Sequence, residues 1–436
     1  MPVLHHPGTV LTDHRFSLPL DHEQPSGERI EVYAREVVAA GREDERLPWL
    51  LFLQGGPGNR APRPVGAEHW LRVALEHYRV LLLDQRGTGR STPADATTLP
   101  LRGTPEQQAA YLAHFRADAI VRDAEAIRRE LLGEDVRWSL LGQSFGGFCA
   151  LTYLSQAPEG LREAFVTGGL PGLHTSADDV YRAAYPRVAR KVTAHYARYP
   201  QDAATVRRIA AHLLETDVRL PDGSPLTAAR FQFLGKMLGE TTGSHRLHYL
   251  LEDAWTRGSS GHVLSEAFLE QVRSAVSFAG DPLFAALHEA IYAQRSVTPR
   301  GTRWAAQRVR AEFPEFDAAR SVADGLPVLL TGEMIYPWMF TTDPSLRPLD
   351  ETAHLLAERT DWPDLYAPDR LARNDVPVLA AVYDDDMYVD RDASLATAAA
   401  FPGVRPWVTD TWDHDGLRVS EGAVLRRLFD MAAGRL

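Results

Sequence analysis

Gly142-Gln143-Ser144-Phe145-Gly146-Gly147 constrains this chain more than any other stretch. It follows a short apolar run, 137–141, with the pattern of a strand buried on both faces. It precedes a segment, 145–156, that reads as a helix. A strand that turns directly into a helix needs a sharp backbone corner. Glycines flank the serine because side chains there would clash with the strained backbone. Such a corner exposes the serine hydroxyl at the carboxyl end of a sheet, where it can act as a nucleophile.

The flanking pattern supports that sheet. Segments 14–22 and 29–39 alternate apolar and polar residues, as half-buried strands do, and 48–53 and 78–83 are continuous apolar runs. Helical periodicity over 105–132 ends at Gly133, and a further strand spans 161–167. From about 176 to 361 the pattern is mainly helical, with amphipathic spacing over 180–199, 202–215 and 265–278. Strands return at 376–383 and 405–409, with helices at 393–401 and 422–433. This order predicts a mostly parallel sheet in an α/β catalytic domain, residues 1–172 and 362–436. A mainly helical cap, residues 173–361, is inserted in it.

Composition removes several alternatives. The net charge is 47 − 58 = −11, which argues against a nucleic-acid footprint. No apolar run approaches the roughly 18 residues of a membrane helix. Met1 to Gly8 lacks a basic region followed by an apolar one, so a cytoplasmic location is expected. The single cysteine, Cys149, excludes a disulfide framework or multi-cysteine metal site and is expected in the core. Lys191 and Lys236 are the only lysines, leaving 47 − 2 = 45 arginines spread along the chain; this bias reads as genome base composition. His245 and His248 read as two surface histidines on one helical face rather than a metal pair. Asp84-Gln85-Arg86-Gly87-Thr88-Gly89-Arg90-Ser91 lacks the ending of a phosphate loop and reads as a structured turn bordering the site. The oligomeric state stays open, a homo-oligomer included.

A nucleophilic serine needs a base, and the base needs an acid to orient it. In the α/β-hydrolase fold their chain order is serine, acid, histidine. After His354 only His414 remains, just past the last predicted strand. The acid is expected after the preceding strand, where Asp384, Asp385 and Asp386 stand in a row and spacing does not separate them. An oxyanion needs donors. The N–H of Phe145 is one, and the loop Gln54-Gly55-Gly56-Pro57-Gly58 offers Gly55 or Gly56 as the other.

The loop 54–58, the turn 84–91 and the stretch 142–147 stand in the order and spacing of the proline iminopeptidases, and the chain resembles the longer members of that family. The resemblance implies a serine aminopeptidase that removes an N-terminal proline or other small residue from small peptides with a free N-terminus. It implies no metal or organic cofactor. It aligns the family's aspartate–methionine pair with Asp386-Met387, making Asp386 the acid, and it points to Glu333 as the carboxylate that holds the substrate amine. A second cap carboxylate is implied among Asp350, Glu351, Asp361 and Asp364, and Tyr336 and Trp338 are expected to line the proline pocket. Two departures stand out. Many members carry histidine in place of Gln54 and tryptophan in place of Phe145, whose ring is expected to wall the pocket. Activity is expected to fall at acid pH as His414 protonates.

Overall fold

The computed structural model describes residues 3–259 and 261–435. Its main sheet has nine strands: β1 (Val3–His6), β2 (Thr9–Pro19), β3 (Arg29–Ala39), β4 (Trp49–Leu53), β5 (Arg79–Asp84), β6 (Trp138–Gln143), β7 (Leu161–Thr167), β10 (Val378–Tyr383) and β11 (Val404–Thr409). A hairpin, β8 (Trp255–Gly258) with β9 (Gly261–Leu264), stands apart from it. The strand order is β1-β2-β3-β5-β4-β6-β7-β10-β11. The first four strands in that order pair antiparallel, and the six from β5 to β11 run parallel.

The continuous apolar runs are buried on both faces, as their composition requires. Leu50 and Phe52 of β4 pack under the helices His69–Leu75 and Ala423–Ala432, while Leu51 and Leu53 pack against Ala117–Leu132 and Phe145–Gln156 on the opposite face. Because β4, β5, β6, β10 and β11 are parallel, their carboxyl ends share one edge. The loops after Leu53, Asp84, Gln143, Tyr383 and Thr409 therefore emerge together.

The helical segment between β7 and β10 contains the helices Ala177–Arg198, Pro200–Glu215, Gly243–Glu252, Glu266–Val276 and Asp350–Glu358, with shorter turns between them. Ser176 starts the first: its hydroxyl accepts from Asp179 N–H at 3.3 Å, and its own N–H reaches the Asp179 carboxylate at 3.1 Å. Tyr181, Tyr185, Val188, Phe231, Phe316 and Met334 centre the segment's own core. Gln294 ties it to both chain crossings. Its amide donates to the Leu173 carbonyl at 3.1 Å and accepts from the N–H of Leu365 at 3.0 Å. Among the described residues no helix is long and apolar enough to cross a membrane.

Two sequence expectations shift, and one strand was not expected. The strand expected at 14–22 runs Thr9–Pro19, since Val10 and Leu11 are buried and pair with β3. β1 is mostly exposed and has no alternating signature to read. The helix expected over 105–132 is two, Pro105–Leu112 and Ala117–Leu132. No glycine or proline marks the break. Distant side chains replace the lost helical bonds there: buried Arg86 donates to the His114 carbonyl at 2.8 Å, and buried Arg116 turns away to the carbonyls of Ala290 and Pro363.

Candidate active site

Ser144 sits between β6 and the helix Phe145–Gln156 at φ 56°, ψ −122°. A left-handed φ on a serine costs roughly 1–3 kcal/mol and persists only where the surroundings enforce it. Here they do. Ser144 N–H donates to the Thr167 carbonyl at 2.9 Å, and its own carbonyl accepts from Gly147 N–H at 2.7 Å. A Cβ on Gly146 would lie 2.0 Å from the Leu53 carbonyl oxygen, and one on Gly142 would lie 2.3 Å from that of Gly146. The corner thus needs glycine on both sides of the serine.

His414 and Asp386 are both buried, and Nδ1 of the histidine lies 2.6 Å from Oδ2 of the aspartate. An ionised Asp386 makes Nδ1 the donor and leaves Nε2 free to take a proton. The other carboxylate oxygen, Oδ1, accepts the N–H groups of Tyr388 at 2.8 Å and Val389 at 3.1 Å. Burial alone would depress the His414 pKa. The charge and hydrogen bond of Asp386, helped by Glu333, outweigh it and raise the pKa above its ordinary value. Ser144 and His414 line the same cleft, of about 350 Å³.

The three consecutive aspartates have separate partners. Asp384 pairs with Arg391 at 2.6 Å, and half-exposed Asp385 lies 3.4 Å from Lys191. Asp386 alone meets His414. The loop 54–58 abuts the serine: a Cβ on Gly55 would lie 2.9 Å from Ser144 Cβ, and Gly56 lines the cleft. Phe145 opens its helix, so its N–H has no partner within it. The turn after β5 holds this loop. Gln85 donates to the Gln54 carbonyl at 3.0 Å, and the buried Asp84 carboxylate accepts from Ala61 N–H at 3.0 Å and Arg90 N–H at 2.8 Å.

The helical segment supplies the other wall: Lys236, Met237, Phe278, Asp281, Phe284 and Glu333. Among the described residues no side-chain hydrogen bond or ion pair engages Glu333. Burial raises its pKa to about 7, against the opposing charges of His414 and Lys236. Asp281 is pushed up to about 6 by burial, with Lys236 opposing. Lys236 is itself lowered by burial, with Asp281, Glu333 and Glu240 opposing, and its ammonium lies over the Phe233 ring at 4.7 Å.

The same segment grips the histidine loop. His414 N–H donates to the Gly239 carbonyl at 3.2 Å. The Asp415 carboxylate accepts both the N–H and the hydroxyl of Thr241, at 2.9 and 2.6 Å, and the N–H of Asp413 donates to that hydroxyl at 3.1 Å. Tyr388 stands edge-on to the His414 ring, with centroids 4.9 Å apart, and its hydroxyl donates to the Lys236 carbonyl.

Several expected site residues lie elsewhere. Tyr336 is fully buried in the core of the helical segment, bonded to the Tyr185 hydroxyl at 2.9 Å and stacked on Trp338. Neither is among the residues lining the cleft, where Phe278, Phe284 and Tyr388 supply the aromatic surface. Phe145 also turns inward, into the core beneath the sheet edge, and not onto the cleft. Asp350, Glu351, Asp361 and Asp364 do not line it either; Asp281 does. Asp361 pairs with Arg359 at 2.7 Å, and Asp364 accepts from Ser296 N–H at 2.9 Å.

His248 is buried rather than superficial. Its Nδ1 meets the Asp202 carboxylate at 3.0 Å, and its ring stacks on Tyr199 at 3.8 Å, which fastens two helices together. His245 is exposed, as expected. Cys149 is fully buried, and burial pushes its thiol pKa far up. Sequence reasoning passed over Lys236, Asp281, Phe278, Phe284 and Tyr388. One signal for the lysine was present. Both lysines of this arginine-rich chain stand in this region, Lys191 bonded to Asp413, the residue before His414, and Lys236 in the cleft wall.

This topology is that of the α/β-hydrolases, and the family described as the alpha/beta hydrolase fold matches residues 48–418. A proline iminopeptidase of Aeromonas sobria is 51% identical over 416 residues, covering 95% of this chain and 95% of that one. A second, from Aspergillus aculeatus, is 36% identical over 437 residues, covering 99% of this chain and 95% of its own. The chain belongs to the proline iminopeptidase family, a branch of the α/β-hydrolase fold.

Proposed function

We propose that the protein is a serine aminopeptidase that releases an N-terminal proline, or another small residue, from short peptides. Ser144 Oγ attacks the first carbonyl carbon and passes its proton to His414 Nε2. The N–H groups of Phe145 and of Gly55 or Gly56 hold the oxyanion. His414 returns the proton to the departing peptide nitrogen, and water then hydrolyses the acyl-enzyme by the same route. Asp386 fixes the imidazole and stabilises its charged form. Residues 173–361 act as the cap over a catalytic domain formed by 1–172 and 362–436. The single, buried cysteine suits the reducing cytoplasm, where we place the enzyme.

One observation carries the choice of an aminopeptidase over an esterase or amidase. Glu333 shares the cleft with Ser144 and His414, yet no described side chain engages its carboxylate. A protonated substrate amine supplies that partner through a charge-assisted hydrogen bond, with Asp281 the second carboxylate facing the cleft. The test compares proline anilide, alanine anilide, N-acetylproline anilide and a short ester. Proline anilide should be cleaved fastest and the blocked anilide scarcely at all. Equal rates on free and blocked anilides would leave an esterase or amidase in its place.

A further inference from the structure

Next to the cleft that Glu333 lines is a second chamber of about 680 Å³, and the two share Gln54, Asn59 and Asp281 as a common wall. Four charged side chains line the second chamber: Arg60, Arg63, Asp95 and Asp281. Three have other engagements. Arg63 holds the buried Asp84 carboxylate, at 2.9 Å from one nitrogen. Asp95 accepts the N–H groups of Thr97 and Thr98 at 2.9 Å each. Asp281 stands in the shared wall, facing the charge of Lys236. Arg60 is exposed, and among the described residues it has no hydrogen bond or ion pair. Its Cβ is nevertheless packed closely behind Gly89, where an added Cβ would lie 2.9 Å away.

The order along the wall matches a peptide. Glu333 lies in the first chamber with the nucleophile, and Gly56, in the same chamber, carries a proposed oxyanion donor. The Asn59 side chain touches Gly56, and Arg60 follows at once, in the second chamber. A chain bound amine-first against Glu333 leaves over Asn59 toward a free guanidinium. Three extended residues reach about 10 Å.

We propose that Arg60 binds the C-terminal carboxylate of the substrate, and that the enzyme is built for di- and tripeptides. This rests on the aminopeptidase reading above. The test measures KM and kcat for Pro-Gly-Gly, its C-terminal amide and Pro-Gly-Glu-amide, with proline anilide as a reference. The free tripeptide should show a KM roughly 5–10-fold below that of its amide, the scale of a partly solvated charge-assisted pair. Arg60→Ala should abolish that ratio, and Arg60→Lys should restore part of it. A ratio of one in the wild type, or a ratio that survives Arg60→Ala, overturns the proposal. So does a Pro-Gly-Glu-amide as good as Pro-Gly-Gly, which would make an acidic side chain the ligand. Cleavage of proline anilide without any carboxylate preference sinks this proposal alone; no cleavage of any free-amine substrate sinks the aminopeptidase reading with it.

Discussion

The two walls of the cleft are built on opposite principles. On the sheet side every buried charge has a mate: Asp386 takes bonds from His414, Tyr388 and Val389, and Asp84 takes them from Ala61, Arg63 and Arg90. On the helical side Glu333, Asp281 and Lys236 make no such bonds among the described residues, and burial moves the pKa of each toward its uncharged form. A satisfied network is rigid, and an unsatisfied buried charge is costly. On the proposed mechanism the first wall is finished before substrate arrives and the second is completed by it: geometry for bond-making is fixed in advance, and selection of a free amine is left to the ligand.

This contrast can be broken at either wall. Ser144→Ala should reduce kcat by roughly 10⁴-fold or more, and Asp386→Asn by about 10⁴-fold with the fold intact, since the imidazole then loses its proper tautomer. Circular dichroism alongside anilide kinetics checks both. A mild loss from Asp386→Asn would mean that the sheet wall is not prearranged. Glu333→Gln should cost about 10–100-fold in kcat/KM on free-amine substrates, the scale of a charge-assisted bond. It should leave the slow turnover of a blocked anilide nearly constant.

The pH profile sharpens the same division. In the proposed mechanism His414 must be neutral to act as a base, and its pKa is raised. Activity should therefore be lost as pH falls, with a midpoint above the ordinary histidine value of about 6.5. On the same reading Glu333, near 7, must be ionised to hold an ammonium group and adds to the same limb. Glu333→Gln removes one of the influences that raise His414, so its acid limb should move to lower pH; a limb that stays in place would uncouple the two walls. The smallest effect is expected at Tyr336. Tyr336→Phe loses the buried hydroxyl that bonds Tyr185 and the Met334 sulfur, and should cost about 0.5–1.5 kcal/mol of stability in denaturant titration with little change in KM. A large change in KM would return Tyr336 to the pocket.

The sheet wall was largely legible in the sequence. Runs such as 48–53, and the ends of 29–39, 145–156 and 161–167, depend on local period and composition, and the structure places these elements there to within a residue. Chain order singled out His414, and family resemblance separated Asp386 from its neighbours; in the structure the two side chains meet. The helical wall was poorly legible. Phe278, Asp281 and Phe284 flank short helices and loops with no period to betray their direction. Aromatic residues near Glu333 in sequence were expected to stand near it in the cleft, but Tyr336 turns into the core and Trp338 packs against that core from outside. The break at 113–116 was invisible for a related reason: it is stabilised by Arg86 and Arg116 reaching across the fold, and no local residue announces it.

The bonds between Thr241, Gly239, Tyr388 and the histidine loop bear on how substrate gets in and out. A hinged lid can swing without disturbing the machinery below, but here the roof and the base are fastened together. Lifting segment 236–241 away from the sheet has to break the His414–Gly239 and Thr241–Asp415 bonds and the bond from the Tyr388 hydroxyl to the Lys236 carbonyl. On the proposed mechanism, opening thus disarms the base. Such an interlock favours traffic through a standing mouth, and it keeps the base out of action whenever the roof is raised far enough to admit a folded chain.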